Sequence, residues 1–207
     1  MKREGNVQNG TIGNYEKAFA GYSTNKNSRR EIQLFRDNLN ENLLFLLDSY
    51  IRCAWVTSPY TEKRIYKPKP RVINKSPVKD HVIQWASMLP IEQWLFDTIY
   101  YRAPSCVPGK GTHYYVRQER DELREHSQEE VYYYVQLDVH HYFEHIDHEL
   151  MKLRLRDKIK DPVLLHFLDE FIDSFRDGLV LGVKLSQLLS GLYLAPFDRL
   201  AIRCLCL

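Results

Sequence analysis

Apolar positions recur every three or four residues along most of the chain, a spacing typical of amphipathic helices. The clearest case is the stretch 29–50, which we predict to be one helix. A second helix should open just after Pro77, and Pro90 should kink or break it. Further helices are predicted at 14–22, 114–126, 147–160, 163–176 and 186–202, after a loose N-terminal arm of about 13 residues.

Two stretches favour strands instead. Residues 60–74 alternate and contain β-branched side chains around the sequence KPKP at 67–70, and because proline interrupts a central strand we predict an edge or hairpin-like feature. Residues 131–137, VYYYVQL, are apolar, aromatic and too short for an ordinary helix, so we predict a strand buried on both faces of a sheet. Asp138 would follow at its C-terminal end, a favoured place for chemistry. A lone aspartate there more often only caps or ends the strand.

Length and composition restrict the function only weakly. The chain has 207 residues, enough for one large or two small domains, and its 44% hydrophobic and 27% charged content is ordinary for a globular protein. Since the net charge is only +2, any nucleic-acid surface has to be a local patch. The four cysteines lack metal-type spacing apart from a Cys-x-Cys at 204–206, and neither a signal peptide nor a membrane-length apolar run is apparent. We therefore expect reduced thiols in a cytoplasmic protein.

Four stretches form recognisable motifs. Residues 138–148 read DVHHYFEHIDH, residues 71–84 read RVINKSPVKDHVIQ, residues 109–113 read GKGTH, and residues 178–187 read GLVLGVKLSQ. Together they resemble motif A, the fingers motif, the loop after it and motif B of the reverse transcriptases of bacterial retroelements. Most group II intron and retron enzymes carry Gln-Gly and Ser-Pro in motif B. The Leu-Gly and Ser-Gln found here are the form associated with diversity-generating retroelements, so the chain most resembles that branch.

The resemblance implies a helix-rich α+β fold, with the fingers and a partial palm of a right-hand polymerase. The regions would be an N-terminal helical region at 1–58, the fingers at 59–130 and the partial palm with motifs A and B at 131–207. The catalytic Tyr-x-Asp-Asp hairpin and the thumb expected after motif B are absent from these residues, so we expect a truncated enzyme that is inactive alone. Its palm edge would be exposed, which favours self-association or a rearranged C-terminal helix.

The resemblance also implies an activity and a metal site. The chain would be an RNA-directed DNA polymerase that joins dNTPs to a DNA primer on an RNA template, with two Mg²⁺ ions about 3.5–4 Å apart. Asp138 would be the catalytic carboxylate and, with the Val139 carbonyl, a Mg²⁺ ligand. Arg71, helped by Lys69, would neutralise the triphosphate, because a guanidinium holds phosphate oxygens bidentately and keeps its charge.

Other residues would select the nucleotide and hold the nucleic acid. Phe143 would lie at the family's steric-gate position, where a bulky ring excludes the ribose 2′-hydroxyl. Gly182 would line the nucleotide pocket, because glycine lets the backbone approach a base or sugar closely. The residues expected to contact template or primer are Lys67, Lys110, Lys184 and Gln187.

Two other functions stay open at this point. The chain would be a non-catalytic RNA-binding or assembly module if it kept the fingers and lost the chemistry. A zinc site is the third hypothesis, since four histidines include pairs spaced four and three residues apart, as on one helix face. Those histidines are His140, His141, His145 and His148.

Overall fold

The computed structural model of the protein describes residues 11–67, 70–99, 107–130, 132–133 and 136–205, apart from the side chains of Arg71, Ile202 and Leu205. Within these ranges the chain forms nine α-helices, a short 3₁₀ helix and a two-stranded sheet. The helix-rich α+β class is therefore confirmed. No helix in the same ranges is both long and apolar enough to cross a bilayer.

Most predicted helices are present, with ends shifted by a few residues. Two of them begin at an aspartate cap: Asp147 accepts from the Leu150 N–H at 2.7 Å, and Asp161 accepts from the Val163 N–H at 2.9 Å. The elements in chain order are α1 (Ile12–Ser23), α2 (Arg30–Asp37), α3 (Leu39–Ile51), β1 (Thr61–Ile65), β2 (Arg71–Lys75), α4 (Val78–Met88), α5 (Glu92–Thr98), α6 (Thr112–Glu125), the 3₁₀ helix (Tyr142–His145), α7 (His148–Lys158), α8 (Pro162–Asp173) and α9 (Lys184–Leu205).

The prediction of one continuous helix over 29–50 was wrong, because the chain breaks at Asn38 into α2 and α3. Asn38 has φ −121° and ψ 42°, outside the helical region. The side-chain amide of Asn42 donates to the Phe35 carbonyl at 2.9 Å. Since the last carbonyls of a helix lack intrahelical donors, this bond satisfies one of them at the end of α2.

The predicted hairpin is confirmed. Strands β1 and β2 pair antiparallel, with Ile65 opposite Arg71 and Arg64 opposite Val72. The proline-containing connection separates them, as expected where a central strand would be interrupted. The described side chains of the hairpin are mostly exposed, and Ile65 and Ile73 are half-buried.

The strand predicted over 131–137 is wrong for its described residues. Tyr132, Tyr133, Gln136 and Leu137 adopt no strand conformation, and Tyr133 and Leu137 are 87% and 84% exposed. The local preference for a strand is real, but a strand needs a neighbour to satisfy its backbone hydrogen bonds. The sheet in the described ranges consists of β1 and β2 alone, so no strand borders this stretch there.

One hydrophobic core joins helices from both ends of the chain. Helix α1 packs on α4, and α9 packs on α4 and α5, while α7 packs on α8. Burying a leucine, isoleucine or phenylalanine contributes about 1.5–3 kcal/mol each. The largest fully buried side chains are Tyr15, Phe171, Ile32, Leu43, Leu46, Ile83, Met88, Leu95, Met151, Leu155, Leu164 and Leu168.

Candidate functional site

Gly178, the first residue of motif B, meets the backbone of motif A. The Leu179 N–H donates to the Phe143 carbonyl at 2.9 Å, and Gly178 has φ +70°. A Cβ at Gly178 would overlap the Phe143 carbonyl oxygen and lie 2.8 Å from the Glu144 carbonyl carbon. Only glycine fits both the backbone angle and the space. The turn at 178–179 therefore fixes the backbone of Phe143, the predicted steric-gate residue.

The same turn continues to the hairpin. Gly182 has φ +101°, and a Cβ built there would lie 3.3 Å from Cγ2 of Ile73 in β2. Arg71 occupies the register position two residues before Ile73 and pairs with Ile65 through the backbone. The side chain of Arg71 and the whole of Lys69 lie outside the described residues. The turn at 178–182 thus contacts the Phe143 backbone at one end and the Ile73 side chain of β2 at the other.

His148 attaches the first turn of α7 to the Gly178 turn. Its Nε2 lies 2.7 Å from the Gly178 carbonyl oxygen, and its Nδ1 lies 3.4 Å from Oδ1 of Asp173 in α8. Asp173 also pairs with the Lys152 ammonium at 2.7 Å. Since a carbonyl oxygen only accepts, Nε2 carries the proton in this contact. The turn is therefore attached to two helices through one imidazole.

Two side chains bind backbone carbonyls of α9. The Tyr142 hydroxyl donates to the Ser190 carbonyl at 2.6 Å, and burial raises the pKa of this phenol far above its usual value. Arg154 donates to the Tyr193 carbonyl and lies 3.5 Å from the Leu192 carbonyl. Pro196 in α9 has no N–H for the carbonyl four residues earlier, which is that of Leu192. Arg154 therefore lies where the proline removes a helical donor.

The chain leading into the hairpin is held by two carboxylates. Glu170 of α8 accepts from the Thr57 N–H and hydroxyl at 2.7 and 2.6 Å. Asp80 of α4 accepts from the Ser58 N–H at 2.8 Å, while its Oδ2 is buried without a hydrogen-bond partner in the described structure. Burial raises the pKa of Asp80, and the Ser58 bond opposes that rise. These contacts fix where β1 begins.

The residues predicted to contact nucleic acid lie in different surroundings. Lys67 is exposed beyond β1, and Lys110 and Gln187 are half-buried. Lys184 is already engaged: its ammonium pairs with Glu92 at 2.7 Å and lies 4.1 Å from the centre of the Trp85 ring. The roles assigned to these four residues stay predictions.

Asp138, the predicted catalytic carboxylate, is separate from these contacts. Its side chain is exposed and forms no hydrogen bond or ion pair with any described residue, and Val139 is 55% exposed. The free oxygens of Asp138 fit one hard ligand for Mg²⁺. Nowhere in the described ranges do three or more His, Cys, Asp or Glu side chains form a group able to hold a metal. Asp138 is therefore an exposed carboxylate that belongs to no such group in the described ranges.

The four histidines do not converge on one point in the described structure. His141 pairs with Glu144 at 2.9 Å, and His145 Nδ1 lies 3.0 Å from the His141 carbonyl oxygen. His148 is directed to the Gly178 turn instead. The zinc hypothesis therefore gains no support from the positions of these side chains.

The sequence pointed to the glycines of this region but not to the side chains that hold the glycine turn and the hairpin in place. Asp173, Glu170 and Thr57 carry no motif, and Thr57 and Glu170 are separated by 113 positions. The one sequence signal for Asp173 and Glu170 is that an acidic residue lies near the end of a predicted helix.

No protein-family model matches the chain, and no curated protein matches it.

Proposed function

We propose that the chain forms the fingers and the first part of the palm of a reverse transcriptase of the diversity-generating type. It would take part in RNA-templated addition of dNTPs to a primer 3′-hydroxyl. The observation that carries the proposal is the meeting of three distant segments: the Phe143 backbone, the glycine turn at 178–182, and Ile73 of β2. These are the segments in which the motifs predict the nucleotide pocket.

The chemistry of this region suits a nucleotide. Gly182 has no side chain to separate its backbone from a base or sugar. The Phe143 ring is half-buried, so one part packs against the core while another part is accessible to a ligand. Arg71 would bind triphosphate oxygens bidentately, and the adjoining hairpin adds the exposed charges of Lys63 and Lys67.

Asp138 and the Val139 carbonyl would hold Mg²⁺, which when bound neutralises charge on the triphosphate. Two metal ions need more carboxylate ligands than Asp138 supplies. We therefore expect nucleotide binding by this chain without primer extension.

Equilibrium dialysis with dATP and Mg²⁺ tests the proposal, using Arg71→Gln and the matched control Arg64→Gln. Both arginines belong to the same hairpin, so each change removes the same charge from the same element. Loss of a charge-assisted phosphate contact should weaken binding by Arg71→Gln about tenfold or more. Arg64→Gln should stay within about twofold of the parent, since surface charges contribute little. Absence of dATP binding, or equal effects of the two changes, would contradict the proposal.

A non-catalytic RNA-binding module is the second candidate, favoured by the exposed basic side chains of the hairpin. Lys63, Arg64 and Lys67 are all exposed and need no metal to contact a phosphate backbone. Measuring RNA and dATP binding by the parent and by Asp138→Asn at increasing Mg²⁺ concentrations distinguishes the two functions. If the chain is a binding module, its RNA affinity should depend neither on Mg²⁺ nor on the substitution. If it is part of a polymerase, its Mg²⁺-dependent dATP binding should be weaker in Asp138→Asn.

A further inference from the structure

His148 makes two polar contacts through one largely covered ring. Its side chain is 19% exposed, with Nε2 at 2.7 Å from the Gly178 carbonyl oxygen and Nδ1 at 3.4 Å from Asp173. Asp173 is itself held by Lys152 at 2.7 Å, and Lys152 also pairs with Glu149 at 3.0 Å. The imidazole therefore donates to the Gly178 carbonyl on one side and faces Asp173 on the other, where it forms an ion pair when both ring nitrogens are protonated.

The Gly178 end of this contact chain leads directly to Phe143. The Leu179 N–H donates to the Phe143 carbonyl at 2.9 Å, and the Gly178 Cα lies so close to that carbonyl that a Cβ would overlap it. Interiors packed this closely transmit a displacement instead of absorbing it. A shift of the Gly178 carbonyl therefore moves the backbone from which the Phe143 ring projects.

We propose that His148 is a positioning residue that, through Gly178, holds the Phe143 ring and so sets the preference for deoxyribose over ribose in the bound nucleotide. The inference rests on the proposed function, because it assigns to Phe143 the role of excluding a 2′-hydroxyl. His148 itself does not touch the nucleotide. Its effect is to keep a ring in place, so its loss should change selectivity more than affinity for dATP.

The structure also supplies a matched control. His166 of α8 makes the same type of contact, with its Nε2 at 3.0 Å from the Cys53 carbonyl oxygen, and this contact is remote in sequence from Phe143. Glutamine can still donate to a carbonyl but lacks the second ring nitrogen. His148→Gln therefore removes the Asp173 contact, while His166→Gln tests the general effect of the same substitution. Asp173→Asn weakens the same chain of contacts from its other end.

Fluorine NMR of the chain labelled with 4-fluorophenylalanine measures the ring position without any nucleotide. The Phe143 signal is assigned as the one that Phe143→Leu removes. His148→Gln should shift or broaden this signal, Asp173→Asn should do so to a smaller extent, and His166→Gln should leave it unchanged. An unchanged Phe143 signal in His148→Gln, or an equal change in His166→Gln, would overturn the inference.

The ratio of ATP to dATP dissociation constants, measured with Mg²⁺, tests the functional consequence. His148→Gln should lower this ratio about fivefold, the equivalent of one lost hydrogen bond, with dATP affinity within about twofold of the parent. His166→Gln should retain the parent ratio. If the parent prefers dATP and His148→Gln shows the same ratio of ATP to dATP dissociation constants, only this inference is overturned. A parent that binds no dATP overturns the proposed function, and the selectivity role of His148 with it.

Discussion

Replacing Gly178 with alanine should destabilise the fold strongly. A non-glycine residue in the left-handed region costs about 1–2 kcal/mol, and Gly178 has φ +70°. The new Cβ would overlap the Phe143 carbonyl oxygen, so the turn must move and the 2.9 Å bond from the Leu179 N–H to that oxygen is lost, which costs about 1 kcal/mol more. We expect a loss of about 3 kcal/mol in the free energy of unfolding.

Urea unfolding followed by circular dichroism measures this loss, with Gly13→Ala as the control. Gly13 lies in α1, and a Cβ there would meet nothing within 4 Å. Alanine is the better helix former, so Gly13→Ala should be neutral or stabilising by up to about 1 kcal/mol. Both substitutions replace glycine with alanine, but the expected changes in the free energy of unfolding have opposite signs. A Gly178→Ala variant within about 0.5 kcal/mol of the parent would refute the close contact between the turn and motif A.

Three further outcomes are expected. Burial raises the pKa of Asp80 above its unfolded value, so its folded form holds a proton more tightly and ionisation opposes folding as the pH rises above about 4. Asp80→Asn keeps an acceptor for the Ser58 N–H but cannot ionise. The free energy of unfolding of this variant in urea, relative to the parent, should therefore increase from pH 4 to pH 7. A relative stability that falls with pH would contradict this. Arg154→Met should lower the free energy of unfolding by about 1–3 kcal/mol, because carbonyls of α9 lose their donor. The loss should be smaller in a Pro196→Ala background, where the alanine N–H can serve the Leu192 carbonyl. A double-mutant cycle that shows no coupling between the two changes would exclude this role of Arg154. Asp138→Asn should leave stability within about 0.5 kcal/mol because the side chain is exposed, and neither it nor the parent should extend a primer; Mg²⁺-dependent incorporation of dNTP by the parent would refute the second statement.

Local patterns predicted most of the helices and the hairpin. The three- and four-residue spacing of apolar side chains reports which face a helix buries, and proline marks where a strand stops. The break at Asn38 was missed because the apolar spacing continues across it. The Asn42 amide that donates to the Phe35 carbonyl at this break leaves that spacing unchanged.

The stretch 131–137 shows the limit of such patterns for strands. Its composition favours a strand, yet strand formation depends on a neighbour that the described sheet does not provide. The glycine turn shows the same limit for sites. Both glycines, Gly178 and Gly182, were apparent in the sequence. Only the three-dimensional structure shows that Gly178 contacts Phe143 and that Gly182 contacts Ile73.

The anchors of the site were not predictable from the chain alone. His148 meets a carbonyl 30 positions away, and Glu170 holds a loop 113 positions away. Contacts of this kind leave no periodic signal, because each joins single residues whose identity also suits an ordinary helix surface.

Photo-crosslinking with 4-thio-dTTP tests most directly whether the hairpin, motif A and the glycine turn form one nucleotide site. The chain is irradiated with the analogue and Mg²⁺, and the labelled peptides are mapped by mass spectrometry with unlabelled dTTP as competitor. We predict competed crosslinks within 71–75, 142–143 or 178–184, and their loss in Gly178→Ala under conditions in which that variant is folded. Crosslinks confined to other segments, or none that dTTP displaces, would contradict the account.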